Sequence, residues 1–261
     1  MSSCSSRPFI LISNDDGYKA PGINFLIDVL RPIADLVVVA PKGARSGFGC
    51  AITVTQPIHC KLVRQEEGLD LYACTGSPVD CVKLFFNILK RNYNRLPDLV
   101  VSGINHGDNS SVNTFYSGTM GAASEGVMQG VPGIGFSYDN FSTSVDMSPC
   151  APHIINIVQQ VLRDGLPPLS TLNVNFPNTS DIQGVKLCRM ARSRWINEME
   201  ERVRPRTNAP YYWLTGEPLE LEPEAEDTDR WALAHGFVAI TPQTLDATNY
   251  ALLQQLQSQW C

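Results

Sequence analysis

Apolar runs and amphipathic stretches alternate along the first two thirds of the chain. The run Pro8–Ser13 is continuously apolar and stops at turn residues, which is typical of a buried strand. Pro21 and Gly22 open a stretch with apolar residues at helical spacing, and Leu36–Ala40 forms the next buried run. Strand, helix and strand in this order predict the βαβ unit of a parallel sheet.

The same alternation continues to about residue 178. The segment 77–80 (SPVD) combines a hydroxyl cap, a proline and an acid, so it predicts a helix that runs to about Tyr93. Loose alternation around Pro57 predicts an antiparallel pair, Ala51–Gln56 with Ile58–Arg64. The remaining pattern predicts strands at Leu69–Cys74, Asp98–Ser102, Val131–Ser137 and Ser170–Phe176, and helices from Ser117 and over Pro152–Arg163.

The regular alternation of strand and helix patterns ends near residue 178. Residues 189–206 are rich in arginine, residues 217–229 are acidic, and no clean strand pattern returns before Phe237–Thr241. We therefore expect an α/β core over residues 8–178 and a C-terminal extension over residues 179–261 that is not an independent domain. The residues leave open whether this extension is loop-rich or an oligomerisation arm.

Composition narrows the classes of function. The chain has 261 residues, of which 43% are hydrophobic, and its net charge of −6 gives no global basic footprint for duplex nucleic acid. The apolar run after Arg7 is too short for a signal sequence or a membrane span. No C-x-x-C pair occurs among the cysteines at 4, 50, 60, 74, 81, 150, 188 and 261, which argues against a zinc knuckle or a thioredoxin-type site. Several of them lie inside apolar runs, where free cysteine behaves as a small hydrophobic residue, so a reducing, cytoplasmic environment is expected.

Several common cofactor and catalytic motifs do not occur in the sequence. There is no G-x-x-x-x-G-K-[ST] phosphate loop, no G-x-G-x-x-G dinucleotide fingerprint and no G-x-S-x-G nucleophile elbow. The histidines, at 59, 106, 153 and 235, are too scattered for a zinc site. Any chemistry must therefore come from other residues.

Polar loops follow the predicted strands, which is where parallel sheets bind ligands. Asp15 and Asp16 place two carboxylates side by side in the turn 14–17, and a cation would relieve their repulsion, although an Asp-Gly turn can simply cap the next helix. Asn105, in the loop 102–109, offers a neutral oxygen that suits Mg²⁺ or Mn²⁺, or it belongs to an Asx-rich turn.

Two further loops offer hydroxyls and amides. Ser46 lies among glycines in the loop 41–49, which either cradles a phosphate, supplies a hydroxyl ligand or serves as a flexible connector. Ser117, Gly118 and Thr119 begin a helix whose free amides and dipole attract anions, although Ser117 alone needs no role beyond the N-cap. Together, oxygen ligands beside an anion seat indicate metal-assisted hydrolysis of a phosphomonoester.

The segments ILISNDDGYKAPGI, APKGARSGFGCAIT, TGSPVDCV, PDLVVSGINHGDN and YSGTMGAASEG occur in this order, and NVNFP and GFVAITP follow. Through them the chain resembles the SurE family of stationary-phase survival proteins, which are metal-dependent 5′-nucleotidases. The resemblance is dense over residues 8–178 and looser beyond.

The resemblance implies a role for each matching residue. The positions of the family's metal ligands, for one divalent cation (Mg²⁺ or Mn²⁺) per subunit, are Asp15, Asp16, Ser46 and Asn105. Asp15 and Asp16 also count as catalytic, and the remaining catalytic and phosphate-binding positions are Asn109, Ser117, Gly118 and Thr119. Ser111 is a departure, because the family usually has glycine there.

The resemblance also implies a three-layer, Rossmann-like α/β fold with a mostly parallel sheet. The C-terminal extension is expected to be exchanged between the subunits of a homodimer or homotetramer. The implied activity is that of an acid phosphatase-like phosphoric monoester hydrolase, which converts nucleoside 5′-monophosphates to nucleoside and phosphate. Broad tolerance is expected, including 3′-nucleotides and polyphosphate.

Alternatives remain open at the level of the sequence. Asp15 or Asp16 can accept the proton of the attacking water, and a covalent aspartyl-phosphate is the less favoured route. His106 is a candidate general acid, or it is merely solvated. A haloacid-dehalogenase-like phosphatase needs an Asp-x-Asp pair, in which one residue separates the two acids, whereas Asp15 and Asp16 are directly adjacent. A phosphate-sensing module without turnover is the non-enzymatic alternative.

Overall fold

The computed structural model describes residues 7–260, so Cys4, Cys261 and the other residues before Arg7 lie outside the described residues. The strands are β1 Phe9–Ser13, β2 Asp35–Pro41, β3 Cys60–Glu66, β4 Leu69–Cys74, β5 Leu99–His106, β6 Gly133–Tyr138, β7 Ser170–Phe176, β8 Val185–Leu187, β9 Ser193–Ile196, β10 Met199–Val203, β11 Pro210–Leu214, β12 Glu217–Glu220 and β13 Val238–Thr244. The α-helices are α1 Pro21–Leu30, α2 Pro78–Asn87, α3 Gly118–Met128, α4 Ala151–Asp164, α5 Asp229–Ala234 and α6 Tyr250–Trp260.

One large sheet organises the chain, with the strand order β3-β4-β2-β1-β5-β6-β7-β13-β8. All neighbouring strands from β4 to β7 are parallel. Strand β3 is antiparallel to β4, and β13 is antiparallel to β7. The predicted, mostly parallel sheet is confirmed.

Alternate residues of each strand face opposite layers of the fold. In β1, Ile10 and Ile12 belong to a core with α1 and α4, whereas Phe9 and Leu11 belong to a core with α2. Both faces of the sheet are therefore covered, and β1 is buried throughout. This arrangement is the predicted three-layer α/β fold.

The predicted antiparallel pair around Pro57 is wrong. Ala51–Gln56 is not a strand, because Thr53 donates through its backbone amide and Oγ1 to the Asp80 carboxylate, at 3.0 and 2.6 Å. Only the second predicted segment forms a strand, as β3, and it pairs with β4. Gly68, with φ of +70°, closes that hairpin in a conformation that favours glycine.

Helix α2 ends at Asn87, before the predicted end at Tyr93. A 3₁₀ turn, Leu89–Asn92, redirects the chain. The Tyr93 ring then packs 5.3 Å from the Phe9 ring and 5.7 Å from the Phe85 ring, measured between centroids. These aromatic contacts beneath the sheet explain why the chain leaves the helix.

The predicted helix starts at Ser77 and Ser117 are confirmed. Ser77 Oγ accepts from the Asp80 amide at 3.1 Å and the Asp80 carboxylate accepts from the Ser77 amide at 2.8 Å, which is a complete capping box. Ser117 Oγ accepts from the Met120 amide at 3.0 Å. Both starts follow from local side-chain chemistry that the sequence displays.

The C-terminal extension is only partly joined to the main sheet. Strands β8 and β13 extend it, whereas β9 with β12 and β10 with β11 form two small antiparallel sheets. Helix α6 contains no buried residue. The boundary near residue 178 stays a prediction. Among the described residues, no helix has the length and apolar character that a membrane span requires.

Candidate active site

The strand order reverses between β1 and β5, and this switch point positions the site. Strand β1 is followed along the chain by β2 on one side, while β5 lies on its other side, so the connections leave in opposite directions. Asp15 and Asp16 follow β1, and Asn105 lies near the end of β5. The topology therefore brings these distant parts of the chain to one crevice.

The turn after β1 fixes the backbone of both aspartates. The Asn14 side chain donates to the Gly17 carbonyl at 3.0 Å and accepts from the Gly17 amide at 3.2 Å. Gly17 has φ of +98°, which favours glycine strongly. In this turn Asp15 is only 3% exposed, whereas Asp16 is partly exposed.

The first turn of α3 packs directly on Asp15. Thr119 Oγ1 donates to Asp15 Oδ1 at 2.7 Å, and a Cβ atom on Gly118 would lie only 2.9 Å from Asp15 Cβ. Burial raises the pKa of Asp15 to about 6; the Thr119 hydrogen bond opposes this shift and the charge of Asp16 adds to it. The Thr119 hydroxyl therefore orients a predicted metal ligand, and its role toward phosphate stays a prediction.

His106 lies on the other side of the acidic pair. Its backbone amide donates to Asp16 Oδ2 at 3.3 Å, and its Nδ1 lies 3.2 Å from the same oxygen. The ring is 6% exposed, and its Nε2 has no hydrogen-bond partner among the described residues. The contact with Asp16 shows that His106 is not merely solvated, and it places this ring as a supporting partner of a predicted ligand.

Two backbone hydrogen bonds attach the loop after β2 to the site. The Arg45 amide donates to the Asp15 carbonyl at 2.7 Å, and the Gly49 amide donates to the Tyr116 carbonyl at 3.1 Å. Ser46 lies between these two attachments and reaches the wall of the same cavity as Asp15. The loop is therefore held in place on both sides of its serine.

A buried layer of polar side chains supports Asn109. Its Nδ2 donates to Ser137 Oγ at 2.7 Å, and its amide donates to Asn175 Oδ1 at 2.8 Å. Asn173 Nδ2 donates to the Asn109 carbonyl at 2.8 Å. Sequence reasoning missed this support, although two asparagines on one face of the apolar strand β7 were a signal that could have found it.

One cavity of about 590 Å³ joins these elements. The predicted site residues on its wall are Asp15, Ser46, Asn105, Asn109 and Ser117. Asp16 adjoins it through His106, which also lines the cavity, while Gly118 and Thr119 pack behind Asp15. The structure thus brings together residues that the sequence spreads over four loops.

Aromatic rings form another part of the cavity wall: Tyr116, Phe141 and Trp195. The Trp195 Nε1 donates to Asn113 Oδ1 at 2.9 Å, which fixes the plane of the indole. A Cβ atom on Gly107 would lie 2.4 Å from the Phe141 ring, so this ring rests directly on the backbone. Sequence reasoning missed these rings, because Trp195 belongs to the C-terminal extension and reaches the site only through the fold.

The charges of the cavity favour a bound cation. Its acidic residues are Asp15, Asp108 and Glu198, and none of the described residues that line it is a lysine or arginine. Arg230, behind the wall, pairs with Asp108 at 3.3 Å, so Asp15 and Glu198 carry the charge that remains without such a partner in the wall. Asp15, Ser46 and Asn105 offer carboxylate, hydroxyl and amide oxygens, a donor set that fits a hard divalent cation. The described residues contain no cluster of three or more His, Cys, Asp or Glu side chains that could hold a metal ion.

Comparison with known proteins decides the family. A family model described as Survival protein SurE matches residues 10–197. The chain is 50% identical over 254 residues to the 5′-nucleotidase SurE of Bacteroides fragilis, an alignment that covers 97% of this chain and 98% of the relative. The chain belongs to the SurE family. The 5′-nucleotidase SurE of Bacteroides thetaiotaomicron is 49% identical over 253 residues, with 97% and 96% covered.

A solved structure agrees with this SurE assignment. The crystal structure of the SurE protein from Aquifex aeolicus superposes with a TM-score of 0.81 at 35% identity. The match covers 97% of this chain and 99% of the Aquifex chain. The resemblance seen in the sequence and the fold class that it implied are therefore confirmed.

Ser111, where this chain departs from the SurE pattern seen in the sequence, has φ of +51°. That is the left-handed region, which glycine adopts freely and serine does not. Its Oγ donates to the Ala191 carbonyl at 2.8 Å and lies 2.6 Å from Ser193 Oγ. Its amide donates to Asp229 Oδ2 at 2.9 Å. Hydrogen bonds to the C-terminal extension therefore hold the serine in a conformation suited to glycine.

Proposed function

We propose that this chain is a 5′-nucleotidase that hydrolyses nucleoside 5′-monophosphates to nucleoside and phosphate with the help of one divalent cation, Mg²⁺ or Mn²⁺. The observation that carries the proposal is the single cavity in which Asp15, Ser46 and Asn105 meet beside the start of α3. The names of the SurE relatives, each a 5′-nucleotidase, support the substrate class.

The charge of the cavity supports the proposed need for a cation. A phosphate dianion would be repelled by the carboxylates of a wall without lysine or arginine. Asp15, Asp16, Ser46 and Asn105 would hold the cation. When bound, it supplies positive charge against the phosphate and lowers the pKa of a coordinated water.

The residues of this chain have distinct tasks around the phosphate. The start of α3, from Ser117 to Thr119, would bind phosphate oxygens with the help of the helix dipole. The Ser117 amide already donates to the Thr114 carbonyl at 3.4 Å, so the Gly118 and Thr119 amides would be the donors to phosphate. Asn109, fixed by its buried polar neighbours, would orient a further oxygen. Asp15 or Asp16 would accept the proton of the attacking water, and Thr119 keeps the Asp15 carboxylate in position.

The aromatic part of the wall supports a proposed tolerance toward the base. Tyr116, Phe141 and Trp195 present flat surfaces, and stacking on such surfaces accepts every base because each base has a π-face. The α3 amides would contact the phosphate and not the sugar, so 3′-nucleotides and short polyphosphate are proposed as further substrates.

We further propose that the chain acts as a homodimer or homotetramer whose C-terminal extension is exchanged between subunits. Helix α6 has no buried residue, and its exposed side chains include Tyr250 and Trp260. The hairpin of β10 and β11 exposes Met199, Tyr212 and Trp213. Apolar surface of this kind is typical of elements that pack against a partner. The cytoplasmic location stays a prediction.

Phosphate release from AMP tests this function directly. The purified chain is stripped with a chelator and assayed on 5′-AMP, 3′-AMP and tripolyphosphate, with no metal, with Mg²⁺ and with Mn²⁺. We expect turnover of 5′-AMP only after a cation is restored. Full turnover in the chelator would contradict the metal role. Absence of phosphate release under every condition would favour a sensing module and overturn the proposal.

A further inference from the structure

Two cysteines lie opposite each other at the open end of the β3–β4 hairpin. The strand register pairs Cys60 with Cys74. Next to them, the Thr75 amide donates to the His59 carbonyl at 2.9 Å. That flanking bond makes Cys60 and Cys74 a non-hydrogen-bonded pair, the position in which the Cα atoms of antiparallel strands come to about 4.5 Å. A disulfide spans Cα separations of about 4.4–6.8 Å, so the typical spacing of this kind of pair suits a disulfide.

The side chains of this pair belong to one apolar cluster. Cys74 and Cys81 of α2 lie within it, and Cys60 packs against it. All three side chains face the same apolar layer on the α2 side of the sheet. Cross-strand partners point to the same face, so the two sulfur atoms need no change of strand register to approach each other.

The two thiols differ in access. Cys74 is fully buried, whereas Cys60 is only half-buried and lies on the edge strand β3. The neighbouring Cys74 thiol and burial raise the pKa of the Cys60 thiol, so Cys60 is protonated at rest and must lose its proton before it reacts. An oxidant can therefore reach Cys60 first, with Cys74 directly behind it as the second thiol.

We propose that Cys60 and Cys74 form a reversible dithiol–disulfide site that reacts with small disulfides such as glutathione disulfide. Cys60 loses its proton and attacks the small disulfide, so a mixed disulfide forms and one small thiolate leaves and takes up a proton. Cys74 then loses its proton and attacks Cys60 Sγ, the protein disulfide forms, and the second small thiolate leaves and is protonated. The protein loses two protons and two electrons, and the small disulfide gains both.

This site lies close to the loop that carries Ser46. The Cys74 carbonyl accepts from the Lys42 amide at 2.6 Å, and the Thr75 carbonyl accepts from the Arg45 guanidinium at 2.9 Å. The cross-link would therefore fix the strand end to which this loop is attached. It would also constrain the unfolded chain, so we expect Tm to rise by roughly 5 °C on oxidation.

Peptide mapping of the oxidised, full-length chain tests the proposal. The reduced protein is incubated with excess glutathione disulfide, free thiols are alkylated, and disulfide-linked peptides are identified by mass spectrometry without reduction. We expect a Cys60–Cys74 cross-link in the wild type and in Cys188→Ser, a matched control in a separate buried cluster. A reducing agent should remove the cross-link.

Two variants make the test independent of any folding defect. Cys60→Ser should leave Cys74 and Cys81 reduced, and Cys74→Ser should trap glutathione on Cys60, with melting curves confirming that both are folded. The proposal is overturned if the wild type carries a stable glutathione adduct on Cys60 without a cross-link. It is equally overturned if Cys74 links to Cys81, or if both thiols stay reduced under these conditions.

Discussion

At the scale of single residues, Thr119 determines how Asp15 is presented. Its hydroxyl donates to Asp15 Oδ1 at 2.7 Å, and its side chain is fully buried. A buried carboxylate beside a second acid needs such donors to stay ionised, since burial alone favours its neutral form. Thr119 therefore acts on the proposed cation through Asp15, in addition to the amide contacts proposed for the phosphate.

Replacing Thr119 with valine tests this role. Thr119→Val keeps the shape of the side chain and removes the donor, so Mn²⁺ affinity should fall by roughly 10-fold or more, as is usual when a supporting hydrogen bond to a ligand is lost. Thr119→Ser keeps the donor and should retain most of the affinity. The measurement is calorimetric titration with Mn²⁺, and equal affinities of the valine variant and the wild type would contradict the role.

Ser111 offers a second prediction at this scale. Ser111→Ala loses the side-chain bonds but keeps the left-handed backbone, so the free energy of unfolding should fall by about 1–3 kcal/mol. Ser111→Gly loses the same bonds and gains about 1 kcal/mol or more from an unstrained backbone. In urea unfolding, the free energy of unfolding of Ser111→Gly should therefore be higher than that of Ser111→Ala. A glycine variant that is less stable than the alanine variant would show that the backbone is not strained.

At the scale of secondary-structure elements, the sequence predicts what local chemistry decides. The helix starts at Ser77 and Ser117 were predictable because their caps lie within three residues. The sequence did not show that Ala51–Gln56 is not a strand, because the hydrogen bonds of Thr53 in this segment go to Asp80 on another element. The main site loops were predictable since they follow strands of one sheet. Trp195 was not, since only the folded extension brings it to the cavity.

Helix α6 carries the prediction that belongs to this scale. It buries none of its own residues, so deleting residues 247–261 should leave the melting temperature of the core within a few degrees. The deletion should lower the mass measured by light scattering from that of a dimer or tetramer. Leu252→Gln combined with Leu253→Gln, which keeps the helix but reduces its apolar surface, should act in the same direction. An unchanged mass in both variants would contradict a role of α6 in assembly.

At the scale of the whole molecule, the proposed function depends on four segments of the chain meeting in one cavity. The β1 turn, the loop after β2, the end of β5 and the start of α3 contribute to one cavity because the strand order reverses between β1 and β5. The extension then completes the wall with Trp195 and Leu214. The central claim is that this convergence creates one site for a divalent cation.

Titration with Mn²⁺, followed by the electron paramagnetic resonance of the free ion, tests this claim most directly. The account predicts one bound Mn²⁺ per chain in the wild type and an affinity that is weaker by roughly 10-fold or more in Asp16→Asn. Asp28→Asn, which changes an exposed aspartate on α1, is the matched control and should bind like the wild type. Equal Mn²⁺ binding by Asp16→Asn and Asp28→Asn, or no binding by the folded wild type, would contradict the account.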